Sequence, residues 1–118
     1  MSRRDPQRVA DYLSHILQAI DSIHDYTNGA TADSYLVDRK TQDAVVRNLE
    51  VIGEASNNIV KHHAEFASAH TAVPWRFAYE MRNALSYGYF TIDHTIVWQT
   101  IQRDLPSLRE QIAKLLES

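Results

Sequence analysis

The stretch "VVRNLEVIGEASNNIV", residues 45–60, decides the fold. Val45, Leu49, Ile52 and Ile59 recur at spacings of four, three and seven, with Val60 next to the last, which reads as one apolar stripe of an α-helix. Asp38 is a suitable N-cap for that helix, and the periodicity predicts it over about residues 39–63. Gly53 sits in its middle, where a glycine costs on the order of 1 kcal/mol relative to alanine. Close approach by a second helix is the return expected for that cost. Glu50 and Glu54 lie one turn apart, and solvation or an ion pair with a residue such as Arg47 is expected of them before a metal site.

The same period extends in both directions. Upstream, Val9, Tyr12, Leu13, Ile16, Leu17, Ile20 and Ile23 form one apolar stripe. Asp5 and Pro6 are a fitting cap and first turn for it, and Asn28-Gly29 a stop. "TADSYLVD" (31–38) suits a turn or a helical stub. Downstream, Pro74 opens a third helix with Trp75, Ala78, Met81 and Leu85 on one side, and Gly88 interrupts it. A fourth runs from about Asp93 to Arg103, and Asp104 with Pro106 marks a kink or a fresh start before Leu105, Leu108, Ile112, Leu115 and Leu116. No segment alternates with period two. The expectation is an all-α protein, an antiparallel bundle of four or five helices in a single domain over residues 1–118.

Composition narrows the chemistry. The 118 residues carry a net charge of −3, so no general attraction to nucleic acid is expected and any RNA contact needs a local patch. Arg47, Lys61, Arg76 and Arg82 are candidates for one. The absence of cysteine removes disulfides and thiolate chemistry and fits the cytoplasm. No apolar run spans a bilayer, and the basic start "MSRRDPQRVA" lacks the apolar segment of a secretory signal. The six histidines, His15, His24, His62, His63, His70 and His94, form no metal-binding spacing, and neither a metal nor a cofactor is expected.

One cluster carries functional chemistry: "MRNALSYGYF", residues 81–90. Arg82 is a fork-shaped donor suited to phosphate, Asn83 can orient a neighbour, and Tyr87 and Tyr89 can stack on a base or donate a hydrogen bond. The cluster lacks a group that exchanges protons near neutral pH, because tyrosine titrates near 10. On a helix, position 87 lies about 140° round from Arg82. A site using both is therefore more easily built from two chains than from one.

Taken together, "RNLEVIGEASNNI", "VPWRFAYEMRNALSYGYF" and "VWQTIQRDLPSLREQI" resemble the HepT-like branch of the HEPN domain family. The resemblance spans nearly the whole chain. It implies a HEPN-like bundle and a homodimer with a metal-independent endoribonuclease site in the dimer cleft. The implied role is the toxin of a toxin–antitoxin pair, whose partner is a minimal nucleotidyltransferase. The family motif is Arg, four residues, His, one residue, Tyr. Arg82, Asn83 and Tyr89 match it, and Tyr87 stands where the histidine belongs. The resemblance implies that the histidine is the acid/base, that Arg82 stabilises phosphate charge and that Tyr89 accepts AMP from the antitoxin. With Tyr87 in place, RNA cleavage is expected to be weak or absent. A single base change converts either histidine codon to tyrosine. A non-catalytic helical dimer that binds a nucleotidyltransferase, nucleotide or RNA is the alternative.

Overall fold

The computed structural model describes residues 8–76, 78 and 92–117. All elements among the described residues are helices: α1 (Val9–Thr27), α2 (Ala32–Val37), α3 (Arg39–His62), α4 (Ala64–Ala69), α5 (His94–Arg103) and α6 (Leu105–Glu117). Trp75, Arg76 and Ala78 are also helical. The all-α reading holds. The helix count exceeds four or five because the stubs α2 and α4 are separate elements. "AEFASA" of α4 carries too short a pattern to announce itself in sequence.

Helix α3 is the strut. Its 24 residues span about 36 Å at 1.5 Å per residue. Asp38 caps it as expected: the Thr41 amide donates to Oδ1 at 3.1 Å and the Thr41 hydroxyl to Oδ2 at 2.7 Å. These bonds hold the Asp38 carboxyl below its usual range. Val45, Leu49, Ile52 and Ile59 are buried, and Gly53 is buried among them. Val60, read as part of the stripe, is 42% exposed. It lies at the edge of the buried arc in the last turn, where the covered face has narrowed to Ile59.

Helix α1 packs along α3 and also against α6. Tyr12, Leu13, Ile16, Ile20 and Ile23 are buried, with Val9 and Leu17 half-buried beside them. The end of α1 is as expected: the helix stops at Thr27, and Gly29 takes the left-handed backbone (φ 81°) that favours glycine. Its start differs. Arg8 is extended (φ −66°, ψ 153°), so the helix begins at Val9 and does not run on from Pro6. Asp5 and Pro6 lie outside the described residues. The first turn is supported instead by Asp11, whose carboxylate suits the positive helix end and lies 3.6 Å from the Arg8 guanidinium.

The remaining elements close around this pair. Helix α2 opens with a capping box between Thr31 and Ser34 and packs against α3 and α5. Asp93 caps α5 by accepting from the Thr95 and Ile96 amides at 2.9 and 3.3 Å. Asp104 keeps helical dihedrals, and the Leu108 amide donates to its carbonyl at 3.1 Å, so α5 and α6 join at a kink. Leu105, Leu108 and Ile112 of α6 are buried. On the outside, the Arg109 Nε–H donates to Asp21 Oδ1 at 2.6 Å and ties α6 to α1.

Tyr35 plugs the space between α2 and α5. It is 1% exposed, with its ring 5.2 Å from Trp98 and edge-on to His94 at 6.3 Å. The Tyr35 hydroxyl and His94 Nδ1 are both buried without a hydrogen-bond partner among the described residues. Burial pushes the Tyr35 hydroxyl up to about 12 from its ordinary value near 10.

Two outcomes follow for stability. Ile52→Ala should cost about 2–5 kcal/mol in chemical denaturation, and Val60→Ala under about 1 kcal/mol, because only the first leaves a cavity. Equal losses would contradict the burial pattern. Tyr35 favours the folded state below about pH 10, where both states hold the phenol proton. That contribution drains away as pH rises through about 12. Tyr35→Phe should therefore lose less stability than the parent between those values, and parallel profiles would show that the hydroxyl is not the cause.

Candidate functional site

Arg82, Asn83, Tyr87 and Tyr89 lie outside the described residues, as do Met81, Leu85 and Gly88. What the structure gives is the frame on either side of them.

On the upstream side the chain is pinned before it enters the motif. The Trp75 indole N–H donates to the His70 carbonyl at 3.1 Å. The Ala78 amide donates to the Pro74 carbonyl at 3.1 Å, the first helical bond after the proline. Val73, Trp75 and Ala78 are buried. Phe66 of α4 packs against His70 and Trp75, with ring centroids 4.4 and 6.4 Å away. Gln111 of α6 donates to the Ala72 carbonyl at 2.7 Å, so the last helix braces the same loop.

On the downstream side Ile92 is half-buried against the core, and the Asp93 cap follows at once. His94 and Trp98 are one turn apart on α5 and both meet Tyr35. In sequence, the motif thus lies between a tryptophan-anchored loop and a capped helix. Sequence reading missed Tyr35 and His94. The available signal was a lone aromatic inside the polar stub "TADSYLVD".

The proposed basic patch is spread out. Arg47 and Lys61 are exposed on α3, fourteen residues and so about 21 Å apart. Arg76 is exposed beside the tryptophan anchor, and Arg82 lies outside the described residues. His15, His24 and His62 are exposed, while His63, His70 and His94 are half-buried, His63 edge-on to Tyr12. Glu50 is half-buried and Glu54 exposed. Among the described residues no three His, Asp or Glu side chains converge as metal ligands, and no helix is long and apolar enough to cross a membrane. A cleft of about 700 Å³ lies between the end of α1 and the α5–α6 kink, floored by Ile20, Ile23, Ile101 and Leu105.

Comparison with known proteins bears on this frame. The family model described as ribonuclease HepT-like matches residues 16–115. A protein of Thermococcus cleftensis described as a probable ribonuclease HepT is 42% identical over 105 residues, covering 89% of this chain and 93% of that protein. A Caldanaerobacter subterraneus protein described provisionally as an RNase is 36% identical over 106 residues, 90% of this chain and 92% of its own length. A Methanocaldococcus jannaschii protein, described as a gamma-glutamylcyclotransferase and provisionally as an RNase, is 39% identical over 106 residues. These are 90% of this chain and 46% of that longer protein. No solved structure matches. The match runs from the middle of α1 to the end of α6 and includes the tryptophan anchor, the motif and the capped helix. The chain belongs to the HepT-like ribonuclease family.

Proposed function

We propose that this protein is a metal-independent endoribonuclease of the toxin type, built as a homodimer. In this reading its site is Arg82, Asn83, position 87 and Tyr89 from one or both chains. The observation that carries the reading is family membership over residues 16–115 together with the spacing of Arg82, position 87 and Tyr89. The guanidinium of Arg82 takes the charge that gathers on phosphate as the chain is cut. Asn83 orients its neighbours. The group at position 87 moves the proton between the 2′-hydroxyl and the leaving oxygen, and in this chain that group is a tyrosine. A phenol that ionises near 10 supplies little base at neutral pH, so in this reading the protein is a weak ribonuclease.

The same reading assigns a partner. A minimal nucleotidyltransferase antitoxin transfers AMP to Tyr89 in the cytoplasm, which puts a negative phosphate and a bulky nucleotide where substrate phosphate sits beside Arg82. Tyr87 also favours a second reading, a non-catalytic dimer that binds the same partner, nucleotide or RNA.

Tyr87→His separates the two. It should raise cleavage of a labelled RNA by roughly 10²–10⁴-fold, the usual weight of general acid–base catalysis, and arrest growth on expression. Arg82→Ala in that background should abolish both effects. If Tyr87→His leaves cleavage and growth unchanged with no partner present, the binding-module reading replaces the nuclease.

A further inference from the structure

We propose that the cleft between the end of α1 and the α5–α6 kink is a nucleobase-binding site, which takes one unstacked base of an RNA strand or the base of a free nucleoside. The RNA source rests on the ribonuclease reading, and the site itself does not. Its lining belongs to residues 20–30 and 101–109, all of them described. Its volume of about 700 Å³ falls within the range of roughly 300–1,000 Å³ usual for small-molecule sites. Gly29 borders the opening without a side chain, and a β-carbon there would meet nothing within 4 Å. The turn that ends α1 therefore leaves the mouth open.

The walls suit a flat, uncharged ring. Ile20, Ile23, Ile101 and Leu105 give an aliphatic floor. On the rim, the Arg109 Nε–H donates to Asp21 Oδ1 at 2.6 Å and an Nη2–H to Oδ2 at 3.4 Å. Two contacts along one edge fix the guanidinium plane, and both faces of that plane stay outside the ion pair. A guanidinium plane is a surface on which a base stacks, and one already held in place needs less ordering when the ring arrives. Asp21 and Arg109 both line the cleft, so their charges cancel there. A small anion gains little at such a wall, whereas a neutral ring needs no net charge.

The edge of the ring falls to amides. Asn28 and Gln102 line the cleft, are exposed, and are bonded through their side chains to nothing else among the described residues. An amide side chain offers a donor and an acceptor side by side. Base edges carry the same pattern, and adenine pairs both ways with an Asn or Gln amide. The Thr27 hydroxyl, also in the lining, is spent within α1 on the Ile23 carbonyl at 2.8 Å. An acyl chain would use the floor and neither amide, so the lining as a whole favours an adenine ring.

The test is methyl NMR on the full chain. The probes are adenosine, a 2′-O-methyl oligoadenylate that cannot be cleaved, an abasic oligonucleotide of the same length, and hexanoate. Adenosine should shift the methyl signals of Ile20, Ile23 and Ile101 and leave those of Ile52 and Ile59, buried on α3, unmoved. Arg109→Lys keeps the charge and removes the plane, and Gln102→Ala removes one amide. Each should weaken adenosine binding at least about fivefold, the low end of what one stacked base contributes. Gln102 is exposed, so its variant carries the test if Arg109→Lys loosens the fold. Shifts of the same three methyls by the oligoadenylate, with the abasic strand silent, support the RNA source. Shifts by adenosine with the oligoadenylate silent support the free nucleoside. The proposal is overturned if neither moves them, if the abasic strand or hexanoate moves them as strongly, or if both variants bind as the parent does. The titration needs no cleavage. If the parent and Tyr87→His are both inert on RNA while adenosine binds, the ribonuclease reading fails and the site stands. Cleavage by Tyr87→His without a shift at the three isoleucines does the reverse.

Discussion

The aliphatic seam between α1 and α3 is the constraint on which the other elements depend. Fully burying one Ile, Leu or Val side chain is worth about 1.5–3 kcal/mol. Each of these two helices buries several within a few turns. Neither could hold its shape alone in water at that price in exposed surface, since isolated helices are marginal. Paired, they give a stiff two-helix platform. Helix α6 lies on the α1 side, α2 and α4 on α3, and α5 reaches the platform through α2 and α6. The elements that flank the motif in sequence are fixed on this platform.

Most of that architecture was legible because helices announce themselves through spacing and capping chemistry. Asp38 and Asp93 each stand just before an apolar period, and each caps the helix it precedes. Asn28-Gly29 stops α1 for a backbone reason that any reader of sequence can name. The failures are equally physical. Asp5-Pro6 looked like a helix start, but the extended Arg8 and the first-turn Asp11 set the boundary later. Val60 had the right angle and the wrong end of the helix. The pairing of Tyr35 with His94 was invisible because 59 residues separate them, and no local pattern encodes a contact made only when α2 and α5 meet. The candidate site was legible as a motif, Arg82 through Tyr89, while its geometry lies outside the described residues.

The frame on either side of the motif is built from contacts that lie outside it. The tryptophan anchor at Trp75, the glutamine brace from Gln111 and the Asp93 cap are all made by residues outside the motif. Each of these contacts can therefore be made without a side chain of residues 81–90.

The bridge between Asp21 and Arg109 joins residues 88 apart in sequence. At roughly 5–20 residues per second, a ribosome needs on the order of 4–18 seconds to travel that distance. Through that interval the flank of α1 that will meet α6 lacks Arg109, and the motif at 82–89 is completed 20 residues before Arg109 is added. Synthesis therefore contains a built-in delay: the motif exists as sequence before the bundle that frames it can close.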